Sequence, residues 1–138
     1  MFFAGKELGR EFVNNSLYRD GQGLFPLPLS SPATLLVDRL NKAPDIQLQD
    51  DHPIFSRSFG GSFNTWLQSI VIQRYYAPAK YWDPAADGSV SVIAKLRNGA
   101  PWMVEKTLGA GRILAVLSTA APLWHNWGRN DPSFVLWA

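Results

Sequence analysis

Residues 90–118 read VSVIAKLRNGAPWMVEKTLGAGRILAVLS. The first eight alternate apolar and polar side chains well enough for a β-strand. Asn98-Gly99 follows, the pair favoured in a two-residue type I′ hairpin turn. Residues 101–107 then form the return strand, with Pro101 at its first position, where a missing N–H is tolerated. Gly109-Ala110-Gly111 predicts a second turn, and residues 112–118 are an almost unbroken apolar run. That is the pattern of a strand covered on both faces. The whole segment predicts a three-strand antiparallel meander whose last member enters a central sheet.

Working outward, residues 119–130 predict a loop off the C-terminal end of that last strand. Upstream, residues 77–88 are rich in Pro, Asp and Gly and predict a loop. Residues 69–76 (SIVIQRYY) are β-branched and aromatic and predict a strand. Residues 63–67 suit a helical turn, Gly60-Gly61-Ser62 a break, and Asp51-His52-Pro53 a turn into a brief helix. Residues 34–40 (TLLVDRL) fit strand or helix equally. Residues 24–29 (LFPLPL) are extended, because each proline pushes its predecessor out of the α region. Residues 18–23 are turn-rich, and residues 7–18 predict a short amphipathic helix on Leu8, Phe12 and Leu17. Phe2 and Phe3 read as the end of a buried strand broken by Gly5. Strands mixed with short helices argue for an α/β or α+β domain. Asp131-Pro132-Ser133 has the chemistry of a helix start, yet the chain stops one turn later at Phe134, Val135, Leu136 and Trp137. Apolar ends of this kind predict a piece of a longer polypeptide, cut at both ends.

The 138 residues match one ordinary domain. Hydrophobic residues make up 46% and charged residues 17%, which argues against disorder. The net charge is only +2 and no two basic residues are adjacent, so no nucleic-acid partner is expected. No apolar run is long enough to span a bilayer, so direct membrane insertion by this segment is not expected. Cysteine is absent, which removes disulfides, thiolate metal sites and a Cys nucleophile.

In open α/β sheets, ligands bind beyond the C-terminal ends of strands. Residues 119–127 (TAAPLWHNW) lie there, with His125 between Trp124 and Trp127. A catalytic histidine needs a nucleophile and an orienting acid. Ser118 and Thr119 are close in sequence, but no G-x-S-x-G elbow exists. The expectation is that Trp124 and Trp127 close the edge of the core while His125 faces solvent. Asp50-Asp51-His52 is read as a capped turn rather than a metal site, since adjacent residues rarely converge on one ion. Gly109-Ala110-Gly111-Arg112 precedes a strand, not a helix, which makes it a hairpin turn and not a phosphate loop. Glu7 and Glu11 share a solvated helix face. Trp66, Tyr75, Tyr76, Tyr81, Trp82 and Trp102 suit a sugar or peptide groove, but core packing is the simpler reading.

Several segments together carry a family resemblance: NSLYRDGQGLFP (15–26), DHPIF (51–55), LRNGAP (96–101), GAGRIL (109–114), WHNW (124–127) and PSFV (132–135). In this order they resemble the C-terminal soluble region of large bacterial membrane proteins of the aerotolerance-operon (BatA) type. Such proteins typically carry transmembrane helices, often a von Willebrand factor A-like domain, and a glutamine amidotransferase-like domain. The resemblance covers nearly the whole chain. It implies an α/β fold, a partial class I glutamine amidotransferase-like (flavodoxin-like) sandwich with the meander at 90–118. Residues 1–138 would be the C-terminal part of a larger domain. Amidotransferases use a Cys nucleophile and a His-x-Glu pair. This chain has no Cys, and Asn126-Trp127 follows His125. No family catalytic residue carries over, and no cofactor or metal is implied.

The expectation is therefore a non-catalytic binding or assembly module, the soluble domain of a membrane-anchored cell-envelope protein. Its partners would be other proteins or neighbouring domains of the parent chain. The candidate contact residues are Trp124, His125, Asn126 and Trp127, with Tyr18, Arg19 and Asp20 as a second loop. Aromatic anchoring and Arg/Asn hydrogen bonding would supply the contact. The alternatives are a degenerate hydrolase or amidotransferase using His125 as base, and an aromatic-lined carbohydrate-binding module. A row of exposed tryptophans would mark the last.

Overall fold

A computed structural model of the chain describes residues 2–3, 8–37, 43–49, 52–56, 65, 67–120 and 122–127. Its strands are β1 (Phe2–Phe3), β2 (Leu29–Thr34), β3 (Ile46–Leu48), β4 (Arg74–Pro78), β5 (Val90–Leu96), β6 (Pro101–Leu108) and β7 (Gly111–Val116). A five-stranded sheet runs β1-β7-β6-β5-β3, and β2 pairs with β4 in a separate two-stranded sheet. Among the described strands only β1 and β7 are parallel; every other pair is antiparallel. Short helices, α1 (Arg10–Phe12) and α2 (Pro53–Ser56), complete a mixed architecture of helices and mainly antiparallel sheet. Among the described residues no helix is long and apolar enough to cross a membrane.

The meander forms as its sequence predicts, and its last strand does enter the sheet, between β6 and β1. Both faces of the sheet are covered. One apolar cluster gathers Trp102, Leu114, Val116, Ile93, Phe55 and Trp127; another gathers Val104, Ala115, Leu117, Val90, Val13 and Trp124. The first turn differs from the predicted type. The Gly99 N–H donates to Leu96 C=O at 2.8 Å and the Leu96 N–H to Ala100 C=O at 2.7 Å. Gly99 alone of that loop has positive φ, +83°. This is a three-residue loop closed by a left-handed glycine, not a two-residue type I′ turn, because Asn98 keeps negative φ. At the second turn only Gly109 is left-handed, at +58°, the II′ pattern.

Other boundaries moved. The predicted strand at 69–76 begins only at Arg74, while Ile72 makes an isolated bridge to His125. Residues 29–34 (LSSPAT) form β2 despite a composition poor in strand formers. A register shift between Leu29 and Pro32 absorbs the proline. Asn14 supports the strand start: its Oδ1 accepts from Leu29 N–H at 2.8 Å, and its Nδ2 donates to Leu29 C=O at 3.0 Å. The primary amide thus serves Leu29 as a strand neighbour would. The brief helix at Pro53 forms where expected, whereas β3 was not foreseen. α1 widens into a π-helical turn over Val13–Tyr18, ending in left-handed Arg19. Val13 is buried, and Leu8 and Leu17 pack against the same cluster as predicted, while Phe12 is 60% exposed and leaves the apolar face. The predicted break at 60–62, the expected caps at Asp50 and Asp51, Gly5, Glu7 and the 131–138 segment lie outside the described residues.

Candidate functional site

The predicted contact residues do not form one surface. Trp124, His125 and Trp127 are buried, and of that group only Asn126 is exposed. The two tryptophans do close the core, as expected. Trp127 packs on Trp102 with centroids 5.6 Å apart, and Trp124 packs on Tyr76 at 5.2 Å. The guanidinium carbon of Arg74 stands 5.2 Å from the Trp124 ring centroid, a cation–π contact. The ring faces are thereby used inside the fold, which corrects their assignment as interface anchors. The His125 ring is 4% exposed, not solvent-facing. Its Nε2 lies 2.6 Å from Thr119 C=O, so Nε2–H donates and Nδ1 is the bare nitrogen. Nδ1 is buried without a hydrogen-bond partner among the described residues. Burial lowers the His125 pKa, and the backbone groups of Thr119 and Trp127 oppose that shift without reversing it. A general base must reach the proton it abstracts; the bare nitrogen, Nδ1, is buried with no proton donor in hydrogen-bond reach among the described residues.

The 122–127 segment is stitched to the chain before β4. Gln73 N–H donates to Trp124 C=O at 2.7 Å, and Val71 N–H donates to Asn126 Oδ1 at 2.8 Å. Asn126 therefore acts locally. Of the aromatics that suited a sugar groove, Tyr75, Tyr76 and Trp102 are buried, Trp82 is half-buried, Tyr81 is exposed, and Trp66 lies outside the described residues.

The second predicted loop has a different character. Arg19, Asp20 and Gly21 take successive positive φ values of 49°, 53° and 87°. Two non-glycine residues in the left-handed region carry strain of about 1 kcal/mol or more each. Backbone hydrogen bonds hold them there: Gly23 N–H to Tyr18 C=O at 2.8 Å, Phe25 N–H to Leu17 C=O at 2.9 Å, and Gln22 N–H to Arg19 C=O at 3.1 Å. Gly23 is essential to this path, since a Cβ would stand 1.9 Å from Leu17 O. From β6, Lys106, only 2% exposed, donates its Nζ to Gly23 C=O at 2.9 Å and to Gly21 C=O. Next along the strand, Glu105 contacts His52 Nε2 at 3.3 Å and Arg112 at 3.5 Å. Consecutive strand residues point to opposite faces. Glu105 and Lys106 thus tie one loop to each face of the sheet.

The strained loop forms one wall of a cleft of about 450 Å³. Tyr18 and Asp20 line it from the loop, and Tyr81, Trp82, Asp83 and Asp87 line it from the segment after β4. Asp83 Oδ1 accepts from Ala85 N–H at 2.9 Å and so caps the 3₁₀ turn Pro84–Ala86. Asp87 Oδ1 accepts from Ser89 N–H at 2.9 Å and Ser89 Oγ at 2.7 Å. Those bonds lower its pKa. Burial raises the Tyr18 pKa, helped by Tyr81, Asp20 and Asp87, so the hydroxyl keeps its proton. Of the predicted residues, Tyr18 and Asp20 therefore sit in one site; Arg19 is exposed beside it and does not line it.

No family model, curated protein or solved structure matches this chain. The site is accordingly read from its own chemistry. Sequence reasoning placed the 18–20 loop and named Tyr81 and Trp82 among groove aromatics, but it missed Asp83 and Asp87 and did not join the two segments. The signal available was composition: two aromatics followed by two aspartates within seven residues (YWDPAAD).

Proposed function

We propose that this chain is a non-catalytic binding module that docks a protein partner through the cleft between the 18–23 loop and residues 81–87. The preorganised loop carries the reading. Three consecutive left-handed residues, held by a buried lysine, keep Tyr18 and Asp20 facing a second set of aromatic and acidic side chains. Strain kept in place by many hydrogen bonds is characteristic of ligand clamps. In the same proposal the sheet is a partial amidotransferase-like sandwich of a membrane-anchored bacterial cell-envelope protein. The motif order supports this, and the parallel β1–β7 pair is the feature of the sheet that fits such a sandwich. The partner is then a neighbouring domain of the parent chain or a separate envelope protein. The non-catalytic assignment is supported by the two histidines. His125 donates to a backbone carbonyl and His52 contacts Glu105, and among the described residues neither has a hydroxyl as hydrogen-bond partner.

The test is site-specific photo-cross-linking in cells carrying the intact gene, with a photoreactive phenylalanine replacing Tyr81 and, as control, Lys95, which is exposed on β5. The expected result is a discrete product from position 81 in the membrane fraction, absent from position 95. It should map to the parent chain or to one envelope protein. No product, or the same products from both positions, overturns the proposal. His125→Gln is expected to leave any amide or ester turnover of the purified protein at its background level.

A further inference from the structure

The charge and shape of the cleft narrow what it can take. Among the described cavities, the largest, about 530 Å³, is lined by Asp45 and Arg97, which already pair with each other at 2.8 Å. The cavity between α1 and β2 carries one charge of each sign, Arg10 and Glu11. The cleft beside the 18–23 loop is different: its charged lining residues, Asp20, Asp83 and Asp87, are all carboxylates, on a chain whose net charge is +2. The local bonds of Asp83 and Asp87 all fall on Oδ1, leaving Oδ2 of each to accept another donor. Lys106 donates its ammonium to the Gly21 and Gly23 carbonyls and does not line the cleft; its charge reaches Asp87, but the three lining carboxylates outnumber it. Arg19 and Lys80 do not line the cleft. The rest of the wall is aromatic, with Tyr81 75% exposed at its edge and Tyr18 and Trp82 half-buried against the core.

Rings with a negative face beside carboxylates form a receptor for an organic cation. A volume near 450 Å³ is at the small end of ligand pockets and suits one long side chain with its flanking backbone. We infer that the cleft binds a lysine or arginine side chain presented by a protein segment, its charged head among Asp20, Asp83 and Asp87 and its stem against Tyr18, Tyr81 and Trp82. This rests on the docking role proposed above and specifies its chemistry.

The probe is the peptide Gly-Gly-Arg-Gly-Gly, titrated into the full chain while the Trp82 indole N–H and the residue 18–22 amides are followed by NMR. The control peptide carries citrulline, which keeps the shape and removes the charge. The arginine peptide is expected to move these resonances saturably, the citrulline peptide not at all. Added salt should weaken binding by screening. Asp20→Asn and Tyr81→Ala, both at exposed positions, are each expected to weaken it about two- to fivefold. Equal shifts with citrulline, or none with arginine up to the solubility limit, overturn the inference. Free argininamide binding as tightly as the peptide would overturn the protein-segment source. If cross-linking from position 81 still captures a neighbour while the peptides leave Trp82 unmoved, the docking role survives and its cationic chemistry falls. If both fail, both fall.

Discussion

His125 and Lys106 show how a single buried polar group acts at a distance from its sequence neighbours. The folded pKa of His125 is depressed by burial. Between the folded and unfolded values, the unfolded chain therefore binds more protons than the folded one. Stability is full above the unfolded value of about 6.5 and is lost as pH falls below it, at up to about 1.4 kcal/mol per pH unit. Urea denaturation at pH values just below about 6.5 should show this slope, and His125→Gln should flatten it, since Gln retains a donor for Thr119 without titrating. Asp87, whose folded pKa is also lowered, acts in the same direction but only below about pH 4, which separates the two. Lys106→Met keeps the length of the side chain and removes the donor to Gly21 and Gly23. A loss of about 1–3 kcal/mol in denaturant unfolding is expected.

Elements are governed by turns and by what lies beneath them. In the 18–23 loop, Gly23→Ala must displace Leu17 backbone, with which its Cβ would overlap at 1.9 Å. Gly21→Ala meets no atom and faces only a φ of +87°. Thermal melts should therefore rank Gly23→Ala well below Gly21→Ala, the latter costing about 1–2 kcal/mol. Turn-bearing elements were legible from sequence: the β5–β6–β7 meander, the helix start at Pro53 and the 18–23 turn all lie where their Gly, Asn and Pro residues announce them. β2 and β3 were not: β2 lacks strand composition, and β3 is an alternating segment of only three residues, too short to stand out. β2 is supported by the side chain of Asn14, fifteen residues away in the chain, and β3 by pairing with β5. Leu8 and Leu17 pack inward as read, but Phe12 yields the inward position to Val13, where the helix widens into the π turn.

At the scale of the molecule, β6 is its most enclosed element, with every residue from Pro101 to Lys106 buried. Amide hydrogen exchange should be slowest in β6 and in the adjoining half of β7, and faster in the β2–β4 pair at the periphery. Trp127→Ala, opening a void against Trp102, is expected to cost about 3–5 kcal/mol in chemical denaturation. That is a large share of the 5–15 kcal/mol or so that holds an ordinary domain together.

The candidate site divides along the same line. Tyr18 and Asp20 were visible because they sit on a glycine-rich turn, while their partners at 81–87 come together with them only in the folded chain. Sequence alone determined the meander, the placement of its turns, the strained loop's position and the absence of thiol chemistry. These depend on local torsion preferences and on composition, which act within a few residues. Tertiary structure decided that Trp124, His125 and Trp127 face inward, that Glu105 and Lys106 are buried on a strand of apolar neighbours, and that three carboxylates and three rings share one cleft. Each of those outcomes depends on desolvation and pairing between groups far apart in the chain. Lys106 and Gly21, separated by 85 positions, are the clearest case.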